Sequence, residues 1–73
     1  MKEIKFKNVK ELKKAIDENI NVYHHNPMYI CYKDDIGQYL ITCTSNEYTI
    51  GLTWRDGVTL NGNLKEFYGV LDD

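Results

Sequence analysis

The chain has 73 residues, of which 27% are charged and 42% hydrophobic, with a formal net charge of −2. These values predict one small folded domain over residues 1–73, and they exclude both a disordered chain and the basic surface that binds nucleic acid. No run of about 18 apolar residues could span a membrane, and the N-terminus lacks the apolar core of a signal peptide, so we expect a cytoplasmic protein.

The N-terminal third predicts a short strand followed by one amphipathic helix. Residues 2–6 alternate charged and apolar side chains, which is typical of an edge strand. Asn8 can cap a helix, and Glu11 three residues later completes a capping box. From about Val9 to Asn19, apolar residues recur at intervals of three and four, which predicts a helix with one apolar stripe to bury.

The middle of the chain predicts an antiparallel meander. After a connector at residues 21–27, the strands are expected at residues 28–33, 38–44, 48–54 and 58–60. A four-residue first loop would pair Tyr32 with Tyr39, and a three-residue loop is the alternative. The second turn pairs Cys43 with Tyr48 and continues the same alternation of faces.

The hairpin at residues 48–60 has two possible registers. A two-residue loop would pair Trp54 with Thr59 and set an apolar side chain against a polar one. A three-residue loop ending at Gly57 pairs Trp54 with Val58, and it places glycine where a left-handed residue is required. We therefore expect the three-residue loop, which also pairs Leu52 with Leu60.

The C-terminal segment predicts a second, short helix. Asn63 and Glu66 form another capping box, and Gly69 limits this helix to a turn or two. The expected fold class is therefore α+β, with a four-stranded antiparallel meander and a possible extra N-terminal edge strand. One amphipathic helix covers one face of the sheet, and the short C-terminal helix fills one end.

The face of the meander that lacks a helix is a candidate binding surface. It combines a modest apolar centre with threonine hydroxyls at its rim, and Cys31 is expected beside Leu40. A solvated sheet face is one interpretation, since threonine tolerates water. A contact for a second copy or a ligand is the other. The candidate residues on this face are Tyr29, Leu40, Thr42, Thr49 and Thr53.

The hairpin tip is the second candidate site. Trp54, Arg55 and Asp56 place the only arginine beside the only tryptophan. A guanidinium group can bind phosphate or carboxylate through two hydrogen bonds, and an indole ring can stack on a ligand. The alternative is that Trp54 belongs to the core and that Arg55 is an exposed turn residue.

No pattern for catalysis or metal binding is recognised in the sequence. His24 and His25 are adjacent, so on an extended backbone their side chains point in opposite directions and cannot easily share a metal. The expected register puts Cys31 and Cys43 on opposite faces, which predicts two reduced thiols. We expect a protein that is not an enzyme and that has no cofactor and no metal site.

The segment at residues 29–69 resembles short uncharacterised phage and prophage proteins of low-GC bacteria. The shared elements are the tyrosine-rich hairpin, the strand pair IGLTW and DGVTLNG, and the terminal LKEFY turn. The resemblance implies a non-enzymatic accessory protein that counters host immunity in the host cytoplasm. It would act as a small homo-oligomer that binds a host defence protein or sequesters a nucleotide signal. A phage-encoded structural or regulatory adaptor is the alternative.

Overall fold

A computed structural model describes residues 2–57 and 59–71, which form one α-helix and a six-stranded antiparallel sheet. The α+β class is confirmed, and the possible N-terminal edge strand is present at Lys2–Ile4. The sheet nevertheless has six strands, and the expected fourth strand of the meander is wrong, since Leu60 forms only an isolated bridge. Along the sheet the strand order is β1-β6-β2-β3-β4-β5. The elements are β1 (Lys2–Ile4), α1 (Val9–Asp17), β2 (Asn21–His24), β3 (Asn26–Lys33), β4 (Tyr39–Cys43), β5 (Tyr48–Gly51), a single 3-10 turn (Leu64–Glu66) and β6 (Phe67–Leu71).

Helix α1 begins at the predicted capping box. The Asn8 side chain accepts a hydrogen bond from the Glu11 N–H at 2.9 Å, and the Glu11 carboxylate accepts one from the Lys7 N–H at 3.0 Å. The helix ends at Asp17, before Asn19, whose φ of 63° is left-handed. Its apolar stripe packs against the sheet through Leu12, Ala15 and Ile16.

Strands β2 and β6 replace the predicted connector and the predicted C-terminal helix. The Asn63 side chain does accept a hydrogen bond from the Lys65 N–H at 3.0 Å, but only one 3-10 turn follows. Phe67 and Gly69 then alternate with less buried residues, and Phe67 is fully buried. A Cβ atom on Gly69 would lie 2.9 Å from Cγ1 of Ile4 on β1. Pairing with β1 and β2 on both sides therefore overrides the local helix signal.

Strands β3 and β4 are joined by a three-residue loop, the alternative that the sequence left open. The Asp34 N–H donates to the Gln38 carbonyl at 2.9 Å, and the Asp34 carboxylate accepts hydrogen bonds from two loop N–H groups. Cys31 consequently lies opposite Ile41. Because Cys43 lies two residues from Ile41, both thiols face α1, and the prediction of opposite faces is wrong.

The last hairpin also differs by one residue from its expected register. Thr53 pairs with Leu60, so the expected pairing of Leu52 with Leu60 is wrong. The expected partner of Trp54, Val58, lies outside the described residues. Between β4 and β5, by contrast, the predicted register is confirmed.

Hydrogen bonds within the loop explain this shift. The Asp56 carboxylate accepts from the Thr59 N–H at 2.8 Å and from the Thr59 hydroxyl at 2.6 Å. The Trp54 N–H donates to the Thr59 carbonyl at 2.8 Å. Gly57 has the predicted left-handed backbone, with a φ of 72°. These hydrogen bonds therefore set the register of the hairpin, although the expected register would have paired apolar side chains with each other.

The core lies between α1 and one face of the sheet. In the described parts of the chain, no polar or charged residue is buried. No helix there is long and apolar enough to cross a membrane. The buried cluster consists of Leu12, Ala15, Ile16, Val22, Cys31, Ile41, Leu52 and Phe67.

Candidate functional site

The sheet face turned away from α1 carries a continuous row of side chains across five strands. The segments of Leu60 and Leu64 pack, like α1, against the core on the opposite side. Among the residues that the structure describes, this face therefore has no covering layer. We call it the open face; it consists of Tyr23, Ile30, Tyr32, Leu40, Thr42, Thr49, Tyr68 and Val70.

Contacts within the open face hold its side chains in place. The rings of Tyr23 and Tyr68 have centroids 5.6 Å apart and planes tilted by 40°. The Tyr32 hydroxyl lies 3.0 Å from the Thr42 hydroxyl, which lies 2.8 Å from the Thr49 hydroxyl. These hydroxyls form a hydrogen-bonded chain over β3, β4 and β5. The surface is thus organised before any partner arrives.

The charges of the open face lie at its β1 end. Lys5 Nζ lies 5.3 Å from the centroid of the Tyr68 ring and 3.9 Å from the Glu3 carboxylate. Burial, together with the charge of Glu3, raises the pKa of Tyr68. A tyrosine hydroxyl is protonated at neutral pH and can donate a hydrogen bond, and the raised pKa extends this state to more alkaline pH. The centre of the face consists of uncharged side chains.

The structure brings three of the five predicted face residues together. Leu40, Thr42 and Thr49 lie on the open face. Tyr29 lies on the helix side instead, opposite Cys43, because the three-residue loop shifts β3 by one position. Thr53 lies beyond the end of β5, where it forms a single bridge. On β3 the open positions are taken by Ile30 and Tyr32.

The hairpin tip is separate from the open face. Lys13 of α1 donates to the Gly57 carbonyl at 2.8 Å, which ties the tip to the helix side of the molecule. Trp54 is 66% exposed, so the interpretation of Trp54 as a core residue is wrong. Arg55 is also exposed, and the Asp56 carboxylate closes the loop through Thr59. The tip remains a candidate for stacking and anion contact.

Sequence reasoning missed a pocket of about 440 Å³ on the helix side. None of its lining residues belongs to α1, so it lies beyond the area that the helix covers. No spacing signal could have revealed it, because its wall includes β2, the predicted connector. We call it the His24–Glu66 pocket; its lining is His24, His25, Tyr29, Ile41, Cys43, Tyr48, Ile50 and Glu66.

Both histidines of this pocket approach one carboxylate. His25 has a left-handed φ of 69°, next to a register irregularity in β2. His24 Nε2 and His25 Nδ1 each lie 3.6 Å from an oxygen of Glu66. The prediction that the adjacent side chains point apart is therefore wrong. Within residues 2–57 and 59–71, no group of three His, Cys, Asp or Glu side chains is placed to hold a metal ion.

The two thiols on the helix side have different environments. Burial raises the pKa of Cys31 to about 12. A hydrogen bond with the Ser45 hydroxyl, 3.2 Å from its sulfur, lowers the pKa of Cys43. Both cysteines are free, and Cys43 lines the pocket. Cys43 is therefore the more readily ionised thiol.

A cluster of polar side chains joins the end of α1 to the sheet. The Tyr39 hydroxyl donates to the Asp17 carboxylate at 2.8 Å, and Lys33 Nζ lies 3.4 Å from the same carboxylate. The hydrogen bond to Asp17 raises the pKa of Tyr39. These contacts hold the helix in position on the sheet, so we interpret the cluster as structural.

Comparison of the chain with protein-family models, curated proteins and solved structures finds no match. The resemblance to phage and prophage proteins thus stays a prediction, and function has to be argued from the surfaces described above.

Proposed function

We propose that this protein acts by binding another protein through the open face. The observation that carries this proposal is the row Tyr68, Tyr23, Ile30, Thr42 and Thr49, in which each residue pairs with the next across five strands. Sheets with an apolar face normally bury it against a second layer. Here the open face has no such layer among the described residues, so a partner would supply it.

The size of the face favours a transient contact over a permanent dimer. Six strands about 4.8 Å apart and about five residues long give a flat footprint of about 400 Å². A stable interface buries about 800 Å² of accessible surface on each partner. The accessible surface of the side chains exceeds this footprint, so a second copy seated on this face alone would make an interface near the lower limit for a stable dimer. A different protein can extend the contact by wrapping over the rim of the sheet.

The chemistry of the face also favours a protein partner over a small molecule. Tyrosine is enriched at the energetic centres of protein interfaces, and the face carries Tyr23, Tyr32 and Tyr68. The threonine hydroxyls offer polar contacts at the rim. A small molecule, in contrast, normally binds in a concave site. The pocket of about 490 Å³ at one end of this face includes Tyr23, Ile30 and Tyr32 but does not extend to Leu40, Thr42 or Thr49. The partner surface that fits is apolar at its centre and has hydrogen-bonding groups around it.

For the biological role, we propose the counter-defence function that the resemblance implies. The protein would be a non-enzymatic phage accessory factor that inhibits a host defence protein by covering part of its surface. Sequestration of a nucleotide signal is the second mechanism, and exposed Trp54 and Arg55 would supply stacking and a cation for it. A phage adaptor that joins two proteins is the alternative role.

Phage plating tests this role. A panel of host strains, each with a single defence system, would express the wild-type chain, Leu40→Lys or Lys10→Glu. Leu40 lies on the open face, whereas Lys10 is exposed on α1. We expect the wild type and Lys10→Glu to restore plating on one strain and Leu40→Lys to lose this effect. If no strain responds to the wild type, the counter-defence role is wrong.

The mass of the isolated protein in solution tests whether a second copy or a different protein binds the open face. The self-association expected from the sequence would compete for the same face. We expect the isolated chain to be a monomer at micromolar concentration. A stable dimer that Leu40→Lys converts to a monomer would assign the open face to a second copy and overturn the proposal of a different protein.

A further inference from the structure

The His24–Glu66 pocket has features of a second binding site that is independent of the open face. Its volume of about 440 Å³ fits a small organic molecule. The pocket lies on the helix side of the sheet, and the open face lies on the other side. A ligand in the pocket and a protein on the open face would therefore not compete directly.

The position of His24 is the first observation. Its ring stacks on Phe67, with centroids 4.3 Å apart, and meets the edge of Tyr29 at 6.1 Å. These rings hold the imidazole in one orientation. Its Nε2 atom is buried and has no hydrogen-bond partner. Buried polar atoms in folded proteins nearly always have one, so this nitrogen is an unsatisfied group at the wall of the pocket, close to the Glu66 carboxylate.

The spacing between His24 and Glu66 is the second observation. His24 Nε2 and the nearest Glu66 oxygen are 3.6 Å apart, which is too long for a direct hydrogen bond. The Glu66 carboxylate lines the pocket and its side chain is 46% exposed, so it can accept hydrogen bonds from a group with several N–H donors.

The remaining lining sets the shape and charge of the ligand. Ile41 and Ile50 contribute aliphatic surface, and Tyr29 and Tyr48 contribute rings, of which Tyr48 is 67% exposed. Such walls favour a flat aromatic body. The lining contains a carboxylate but neither lysine nor arginine. An anionic ligand such as a nucleotide phosphate would therefore be repelled, while a cation or a neutral donor would be attracted.

We propose that the His24–Glu66 pocket binds a flat aromatic or heteroaromatic ring that carries an amidine or amino group. The donor group bonds to the Glu66 carboxylate, and the ring packs against the tyrosines and the isoleucines. This ligand class differs from the phosphate-bearing signal considered for the hairpin tip. The site does not depend on the counter-defence role.

Benzamidine and benzoate form a matched pair of probes for this site. The two molecules have similar size and shape, but the amidinium group donates hydrogen bonds whereas the carboxylate accepts them. We expect millimolar benzamidine to shift the amide resonances of Cys43, Tyr48 and Ile50 in a two-dimensional NMR spectrum of the labelled chain. Benzoate should leave them unchanged. Equal shifts with both probes, or no shifts with either, would overturn the proposal.

A pair of isosteric variants locates the interaction. Glu66→Gln removes the charge in the pocket and keeps the backbone, whereas Glu18→Gln makes the same change at the exposed end of α1. We expect Glu66→Gln to weaken benzamidine binding by about tenfold, and Glu18→Gln to have no effect. Unchanged affinity in a folded Glu66→Gln protein would show that the carboxylate does not hold the ligand.

Discussion

Tyr23 and Tyr68 lie side by side across β2 and β6, with ring centroids 5.6 Å apart. Each ring shields one face of the other, so both side chains are half-buried without a covering element among the described residues. This mutual shielding lets an apolar surface remain in water while a partner is absent. The open face is therefore a preformed surface.

The first prediction compares the free energy of unfolding that is lost by a substitution on the open face with the loss caused by a substitution in the core. Leu40→Thr should lower the free energy of unfolding by less than about 1 kcal/mol, because Leu40 is only half-buried. Leu52→Ala should lower it by about 2–5 kcal/mol, because Leu52 is fully buried. Urea denaturation measures both values. Equal losses would mean that the open face belongs to the folding core and is not reserved for binding.

The second prediction concerns the reactivity of the two thiols. Cys43 should react with iodoacetamide well before Cys31, because the Ser45 hydroxyl stabilises the Cys43 thiolate while burial disfavours ionisation of Cys31. Peptide mapping by mass spectrometry at mildly alkaline pH gives both rates. Ser45→Ala should slow the labelling of Cys43 and leave Cys31 unaffected. Faster labelling of Cys31 would contradict the placement of these thiols.

The third prediction concerns stability at alkaline pH. The pKa of Cys31 is about 12 in the folded chain and 9.0 for an ordinary thiol, so between these values only the folded state keeps the proton. Stability should therefore fall as the pH rises above 9.0, by up to about 1.4 kcal/mol per pH unit. The raised pKa values of Tyr39 and Tyr68 act in the same direction at higher pH.

The variant Cys31→Ala tests this assignment. It should reduce the alkaline slope of the unfolding free energy, although it also creates a small cavity that lowers stability at every pH. Cys43→Ala, as the matched change at the other thiol, should keep the fall in stability above pH 9.0, because the lowered pKa of Cys43 affects stability only below that pH. Denaturation curves from about pH 8 to about pH 10.5 cover the range in which the thiol titrates. If the alkaline slope of the unfolding free energy is the same in Cys31→Ala as in the wild type, Cys31 is not the cause of that slope.

The fourth prediction compares the two capping asparagines. Asn8→Ala should destabilise the chain by about 1 kcal/mol, because it removes the cap of the only α-helix in the described residues. The corresponding loss in melting temperature is about 4–8 °C for a domain of this size. Asn63→Ala should cost less, since it caps a single 3-10 turn. A larger loss for Asn63→Ala would contradict this ranking.

The residues whose structure could be predicted are those controlled by local chemistry. Asn8 and Glu11 start the helix through hydrogen bonds only three residues apart in sequence. Gly57 adopts the left-handed backbone that its turn requires. The pairing of Cys43 with Tyr48 follows from a short turn between two alternating strands. In each case the interacting groups are close neighbours along the chain.

The face on which Cys31 lies was beyond sequence reasoning, because it depends on one residue of loop length. A single-residue shift exchanges the two faces of a strand. The same shift moved Tyr29 to the helix side and brought Tyr32 to the open face. The candidate site was therefore predicted in part, through Leu40 and its threonine neighbours, and its tyrosines were missed.

The strand β6 and the His24–Glu66 pocket depend on contacts between distant parts of the chain. Phe67 follows a helix-start signal, yet it joins the sheet because β1 and β2 offer pairing on both sides. The His25 N–H donates to the Glu66 carbonyl at 2.7 Å, over a separation of about 40 residues. Local patterns carry no information on either contact.

The central claim is that the open face contacts a different protein. Its most direct test is photo-crosslinking in phage-infected cells, with a benzoylphenylalanine residue in place of Leu40 on the open face or of Lys10 on α1. We expect one crosslinked host or phage protein from Leu40 and none from Lys10. Equal crosslinking from both positions, no product from either, or a product with only the mass of two copies of the chain would contradict it.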